Sequence, residues 1–171
     1  HEDLYMSMRR ALTEAVESVA HGDPGHEGVV CGPLIDEANA DRVMDWIDRA
    51  REAKGRVLAG GSRDGAVVTP TLLEEVPADQ PVMADEVFGP VACLDPYEDF
   101  AQALNMVNDS RYGLQAGIFT HDVVKIQEAW QRVEAGAVQG VAKDRPQQGG
   151  VVADEHSGGG HQPCSSDGEG A

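Results

Sequence analysis

Apolar residues recur at helical spacing along much of this chain. Leu4, Met8, Leu12, Val16 and Val19 fall on one face and predict a helix over residues 3–20. Glu2 and Asp3 stand where the positive end of a helix dipole favours acids. Gly22-Asp23-Pro24-Gly25 stops that helix. A second helix is predicted over 37–54, with Val43, Trp46, Ile47 and Ala50 inward, Asp36 as its N-cap and Gly55 as its stop. Residues 98–108 predict another, with Phe100, Leu104 and Val107 inward. Asp122 caps a helix over 123–135 that places Val123, Ile126, Trp130 and Val133 on one face.

Short apolar runs between these helices predict strands at 56–59, 66–69, 71–73, 91–94 and 116–119, with a last one beginning at Ala137-Val138. Gly60-Gly61 closes the first, residues 62–65 read as a turn, and Asp95-Pro96 ends the strand at 91–94. Pro70 predicts an edge strand or a bent connection, because proline offers no N–H to a ladder. Strands alternating with helices predict an α/β fold, a parallel-type layered sheet with flanking helices. The pattern stops near Gln139. Beyond it come Gly158-Gly159-Gly160 and a closing run of Ser, Asp, Glu and Gly. The expected division is therefore a folded part over 1–139 and a low-complexity, disordered tail over 140–171, whose apolar content is too small to offset its ordering entropy.

Thirteen basic residues against thirty acidic ones give a net charge of −17. That balance argues against nucleic acid and anionic membranes as partners, since both are bound by clustered Lys and Arg. No run approaches the ~18 apolar residues of a membrane span, and residues 1–20 lack the apolar core of a signal peptide. Cys31, Cys93 and Cys164 are too few and too scattered for a disulfide framework. The expected location is cytoplasmic. The chain opens on His1 rather than Met, and its first residues already read as domain interior, so a fragment of a longer protein is expected.

The stretch with the sharpest chemistry is 83–91, Met-Ala-Asp-Glu-Val-Phe-Gly-Pro-Val. In an extended segment, residues two apart share a face, so Glu86 and Phe88 would project together. Gly89-Pro90 then ends the element. A carboxylate beside a ring, held by a rigid turn, suits a ligand with hydroxyls next to a flat face. The bland alternative is a loop with one buried Phe and one solvated Glu.

This stretch resembles the Glu-x-Phe-Gly-Pro segment of the NAD(P)-dependent aldehyde dehydrogenase superfamily. Further blocks follow in the family's order: Gly22-Asp23-Pro24, Gly32-Pro33-Leu34-Ile35, Gly60-Gly61 with Pro70-Thr71-Leu72, and Asn108 with Tyr112-Gly113-Leu114. The resemblance covers residues 1 to about 139, the C-terminal part of the family's catalytic domain. It implies that Glu86 binds the nicotinamide ribose hydroxyls, that Phe88 packs beside the same part of NAD or NADP, and that Leu114 lines the nicotinamide end of the pocket. For Leu114 the alternative is a core leucine after a turn.

The resemblance also implies a reaction, oxidation of an aldehyde to a carboxylic acid with NAD or NADP as hydride acceptor. In the family a cysteine thiolate attacks the aldehyde, hydride leaves to the nicotinamide, and a glutamate-activated water hydrolyses the thioester. The matching cysteine and glutamate would precede His1, so no catalytic residue is assigned in this chain, and the isolated fragment is expected to be inactive. None of the three cysteines occupies the nucleophile's place. The intact protein is expected to be a homo-oligomer. The family's later Asn loop, Pro-x-Gly-Gly stretch and pairing strand have no convincing match after 140, which should weaken dimerisation of the fragment and suggests a frameshift or truncation near Gln139. Resequencing the locus decides that point. Two alternatives remain: a non-catalytic remnant or interaction module of the same fold, and an acylating, coenzyme A-dependent semialdehyde dehydrogenase.

The other constellations have simpler readings. His156, His161 and Cys164 lack a fourth ligand at regular spacing, so no metal site is assigned. The triple glycine lacks the flanking strand and helix of a phosphate loop. Trp46 and Trp130 read as core residues, and the acidic runs at 48–52 and 95–99 as solvated faces.

Overall fold

The computed structural model describes residues 1–141, which fall into two compact units, the first ending at Tyr112 and the second beginning at Gly113. The first opens with α1 (Glu2–Glu17), with Glu2 and Asp3 in its first turn and His1 Nδ1 accepting from the Asp3 N–H. After a loop comes α2 (Glu37–Glu52), capped by Asp36, whose Oδ1 accepts from the Asn39 N–H at 2.7 Å. That bond holds the Asp36 carboxyl below its ordinary range. Then follow β1 (Arg56–Ala59), a hairpin of β2 (Arg63–Asp64) and β3 (Val67–Val68), β4 (Thr71–Glu74), a single turn α3 (Pro81–Ala84), β5 (Val91–Leu94) and α4 (Phe100–Asn108).

The strand order is β1-β4-β5, with β1 antiparallel and β5 parallel to β4. All four residues of β4 are buried. The edge-strand expectation drawn from Pro70 is therefore corrected. Pro70 lies one residue before the ladder, so β4 keeps every N–H it needs and takes the centre. Leu73 packs with Ala40, Val43, Ile47 and Ala50 of α2, while Glu74 meets α1. Successive residues of a strand point to opposite faces, so α2 and α1 cover the two sides of β4. The segment 62–65, read as a turn, supplies β2 as well, and α3 was not legible because one helical turn has no period.

Gly60 takes φ +72°, and a Cβ there would lie 2.1 Å from the Pro70 carbonyl oxygen. Gly60→Ala is expected to destabilise the first unit by about 2 kcal/mol or more, from the left-handed backbone together with the clash. A urea midpoint equal to that of the parent would contradict this.

The second unit holds β6 (Ala116–Phe119), α5 (Val123–Arg132) and β7 (Val138–Val141), with β6 and β7 parallel. Asp122 caps α5 as expected, accepting from Val124 N–H at 2.9 Å. β7 continues to Val141, so strand pairing runs past Gln139. The rest of the tail, with His156, His161 and Cys164, lies outside the described residues.

Several inward faces differ from the expected ones. In α1, Leu4 and Met8 are exposed, and the half-buried residues are Tyr5, Arg9, Leu12, Thr13 and Val16. In α4, Leu104 is buried but Val107 is exposed. In α5, Ile126 and Ala129 are buried, whereas Val123 is exposed and Trp130 is 43% exposed. Trp46 is half-buried against the α2 core.

Candidate loop site

Residues 85–90 link α3 to β5 without regular hydrogen bonding of their own. Burial alternates along them. Asp85, Val87 and Gly89 are half-buried, while Glu86 and Phe88 face solvent. The alternation expected from the sequence is present, but the backbone is not extended throughout. Phe88 has φ +47°, in the left-handed region, which costs a non-glycine residue about 1–2 kcal/mol. Phe88 is 73% exposed in this chain, so among the described residues it is not a buried loop residue.

Underlying contacts hold this conformation. Val87 packs against the α2 core, and its carbonyl accepts from Arg42 Nη2 at 2.8 Å. Gly89 sits where a Cβ would lie 3.2 Å from Val43 Cγ2. The Pro90 carbonyl accepts from the Thr71 N–H at 2.8 Å, joining the loop to the start of β4. Asp85 is paired with Arg111, which also lies over the Tyr112 ring. The result is a carboxylate and a flat apolar ring displayed side by side in sequence from a braced loop. Carboxylate oxygens accept from vicinal hydroxyls, and a ring face packs on a planar heterocycle. Such a pair suits a ligand that carries vicinal hydroxyls next to a flat ring.

Leu114 belongs to the second unit and is 89% exposed. Within the described residues it therefore belongs to no core. Its neighbour Gly113 accepts from the Gly136 N–H at 2.8 Å, which fixes the turn before β6.

The most elaborate polar cluster was missed by the sequence reading. Glu74 is 0% exposed and is bound by Arg9 Nε at 2.7 Å, Arg9 Nη2 at 2.9 Å, Tyr5 Oη at 2.8 Å and Arg56 Nη2 at 2.9 Å. The Arg9 guanidinium holds the Glu74 carboxyl below its ordinary range, against the opposing effect of desolvation. Burial, together with the bond to Glu74, pushes the Tyr5 phenol up to about 12. Both Glu74 carboxylate oxygens are occupied by these groups, so the cluster ties α1 to β4.

Burial and the nearby Asp95 push the Cys93 thiol up to about 11. Such a thiol is a weak nucleophile at neutral pH. Its alkylation at about pH 8 is expected to be roughly a hundredfold slower than in the unfolded chain. Peptide mass spectrometry measures this, and equal rates in the two states would contradict the burial argument. Burial also raises the Asp95 carboxyl, so the acidic run at 95–99 is not wholly solvated. Asp99 caps α4 instead. A cavity of about 970 Å³ is lined by Val76, Met83, Asp95, Asn108 and Arg111 among others, but by neither Glu86 nor Phe88. Among the described residues no group of three or more His, Cys, Asp or Glu side chains could hold a metal ion, and no helix is long and apolar enough to cross a membrane.

Residues 1–158 match the family model described as the aldehyde dehydrogenase family, which runs past the point near Gln139 where the sequence resemblance faded. The chain is 37% identical over 138 residues to 3-sulfolactaldehyde dehydrogenase from Priestia aryabhattai, covering 81% of this chain and 29% of that protein. It superimposes on the crystal structure of aldehyde dehydrogenase 21 from Physcomitrella patens in complex with the reaction product succinate, with a TM-score of 0.80, 36% identity and coverage of 90% of this chain and 33% of that one. It also superimposes on the NAD+ complex of an aldehyde dehydrogenase from Bacillus cereus, with a TM-score of 0.78, 27% identity and coverage of 85% and 30%. The chain thus spans about 29% of the length of the first curated relatives it matches.

Proposed function

This chain belongs to the aldehyde dehydrogenase family, and from that membership we propose that its residues form the nicotinamide-facing part of an enzyme that oxidises an aldehyde to a carboxylic acid with NAD or NADP. The observation that carries this reading is the outward pair Glu86 and Phe88 on a loop braced from beneath. Glu86 accepts hydrogen bonds from the nicotinamide ribose hydroxyls. Phe88 packs beside the nicotinamide side of the cofactor. The bound cofactor supplies a hydride acceptor. What these residues contribute is its placement, and a cofactor held in one orientation is what makes a transfer step efficient.

No nucleophile is assigned within these residues. Cys93 is buried with its thiol shifted upward, and Cys31 lies in the loop between α1 and α2. The attacking cysteine and the general-base glutamate belong to polypeptide outside the 171 residues. The intact enzyme is cytoplasmic and homo-oligomeric in this reading.

The test is aldehyde-dependent formation of reduced cofactor. A complete polypeptide carrying these residues should produce it, and the 171-residue chain alone should not. Turnover without a free acid product, but with a coenzyme A thioester, would place the enzyme in the acylating class instead.

A further inference from the structure

We propose that Arg42 is a positioning residue for the cofactor-facing loop, holding Glu86 and Phe88 outward through the carbonyl of Val87; this rests on the reading of that loop given above. Arg42 lies on α2, immediately before the fully buried Val43. Its Nη2 donates to the Val87 carbonyl at 2.8 Å across 45 residues of sequence. That carbonyl belongs to the peptide joining Val87 to the left-handed Phe88. A left-handed non-glycine residue persists only when its surroundings over-determine it. Arg42 fixes the peptide on one side of Phe88, and the close approach of Gly89 to Val43 fixes the other. Both contacts come from adjacent residues of one helix, so α2 acts as the bed on which the loop is shaped.

The guanidinium is itself held. Its Cζ lies 4.7 Å from the centre of the Trp46 ring, one helical turn along. A planar guanidinium can lie on a ring while its edge donates in a set direction, which an ammonium cannot do with the same definition. This gives half-buried Trp46 a role beyond core filling. It orients the group that orients the loop. Arg42 acts through Glu86 and Phe88, and its effect should therefore be confined to the cofactor.

The experiment uses the complete polypeptide with Arg42→Met, Arg42→Lys, Glu86→Ala and the Arg42→Met/Glu86→Ala double variant. Crystal structures give the Phe88 backbone, and titration with NAD or NADP gives the dissociation constant. Arg42→Met should release Phe88 from its left-handed conformation and weaken cofactor binding about tenfold, within the ~100-fold that a 1 Å misplacement can cost. The aldehyde KM should hold, and Arg42→Lys should fall between parent and Met. Adding Arg42→Met to Glu86→Ala should weaken binding by clearly less than the tenfold it costs the parent, because only the share carried by Phe88 is left to lose and residues acting through one another are not additive. An unchanged loop in Arg42→Met would overturn the proposal. So would multiplying effects in the double variant, or an unchanged dissociation constant despite a moved loop. If Glu86→Ala itself leaves binding intact, the cofactor reading of the loop fails. The Phe88 geometry in Arg42→Met still decides separately whether Arg42 shapes the loop.

Discussion

Arg9→Ala is expected to lower the urea midpoint of unfolding clearly, because it strips two hydrogen bonds from a buried carboxylate. The reason is Glu74. Its carboxylate is fully buried, and Arg9 supplies two of its hydrogen bonds in a forked geometry. Without Arg9 the charge stays buried beside Arg56 and Tyr5 alone. Arg9→Lys should lose less, keeping the charge but not the fork. Replacing both Arg9 and Glu74 by leucine should be far milder than Arg9→Ala, since an apolar pair leaves no unpaired charge. A double variant as damaging as the single one would show that shape, not charge pairing, governs the contact.

The same cluster sets a pH dependence with two edges. The Glu74 carboxyl lies below its ordinary value of 4.5, so its contribution is present above that pH and is lost as pH falls through the lower, folded value. The Tyr5 phenol rises from 10.0 to about 12. Its contribution is complete below 10.0 and is lost as pH climbs towards about 12. Urea midpoints of the parent should therefore fall more steeply in acid than those of Glu74→Gln. Parallel curves would contradict the assignment.

Local signals were legible. Asp36 and Asp122 cap the helices that follow them, and β1, β5 and β6 stand where short apolar runs placed them. That Glu86 and Phe88 share a side followed from alternation; that this side faces solvent did not. Non-local polar pairing was not legible. Arg9 and Glu74 are 65 residues apart, and nothing in either neighbourhood announces the other. That pairing also explains why the first turns of α1 turn Tyr5 and Arg9 inward instead of Leu4 and Met8, although Leu12 and Val16 of the expected face are half-buried. A face built from Tyr5 and Arg9 buries polar side chains, so the apolar period of Leu4 and Met8 pointed to the wrong side. The α5 face shifted similarly towards Ala129, whose small side chain allows close approach while Trp130 stays partly in solvent. The left-handed Phe88 was hidden for a related reason, because the contacts that brace it come from Arg42 and Val43 on another element.

The second large effect is expected at Glu86. In the complete enzyme, Glu86→Ala should raise the KM for NAD or NADP about 10- to 100-fold, the loss of hydrogen bonds to a charged acceptor worth about 1.5–3 kcal/mol. Glu86→Gln keeps one acceptor oxygen and should lose less. Phe88→Ala removes the ring from beside the cofactor and should lower kcat as well, because a less confined nicotinamide spends less time in reacting geometry. Both side chains are exposed in this chain, so neither change should lower the melting temperature of the 171-residue chain appreciably. That separates loss of the site from loss of the fold. Glu52→Ala, an equally exposed carboxylate on α2, serves as the control.

We propose that the 86–88 loop binds the nicotinamide half of the cofactor. The most direct test is the dissociation constant of NAD or NADP for the complete polypeptide, compared between the parent, Glu86→Ala and Glu52→Ala. Binding weakened at least tenfold in Glu86→Ala and unchanged in Glu52→Ala is the predicted result. Equal constants for all three, in proteins with equal melting temperatures, would contradict it.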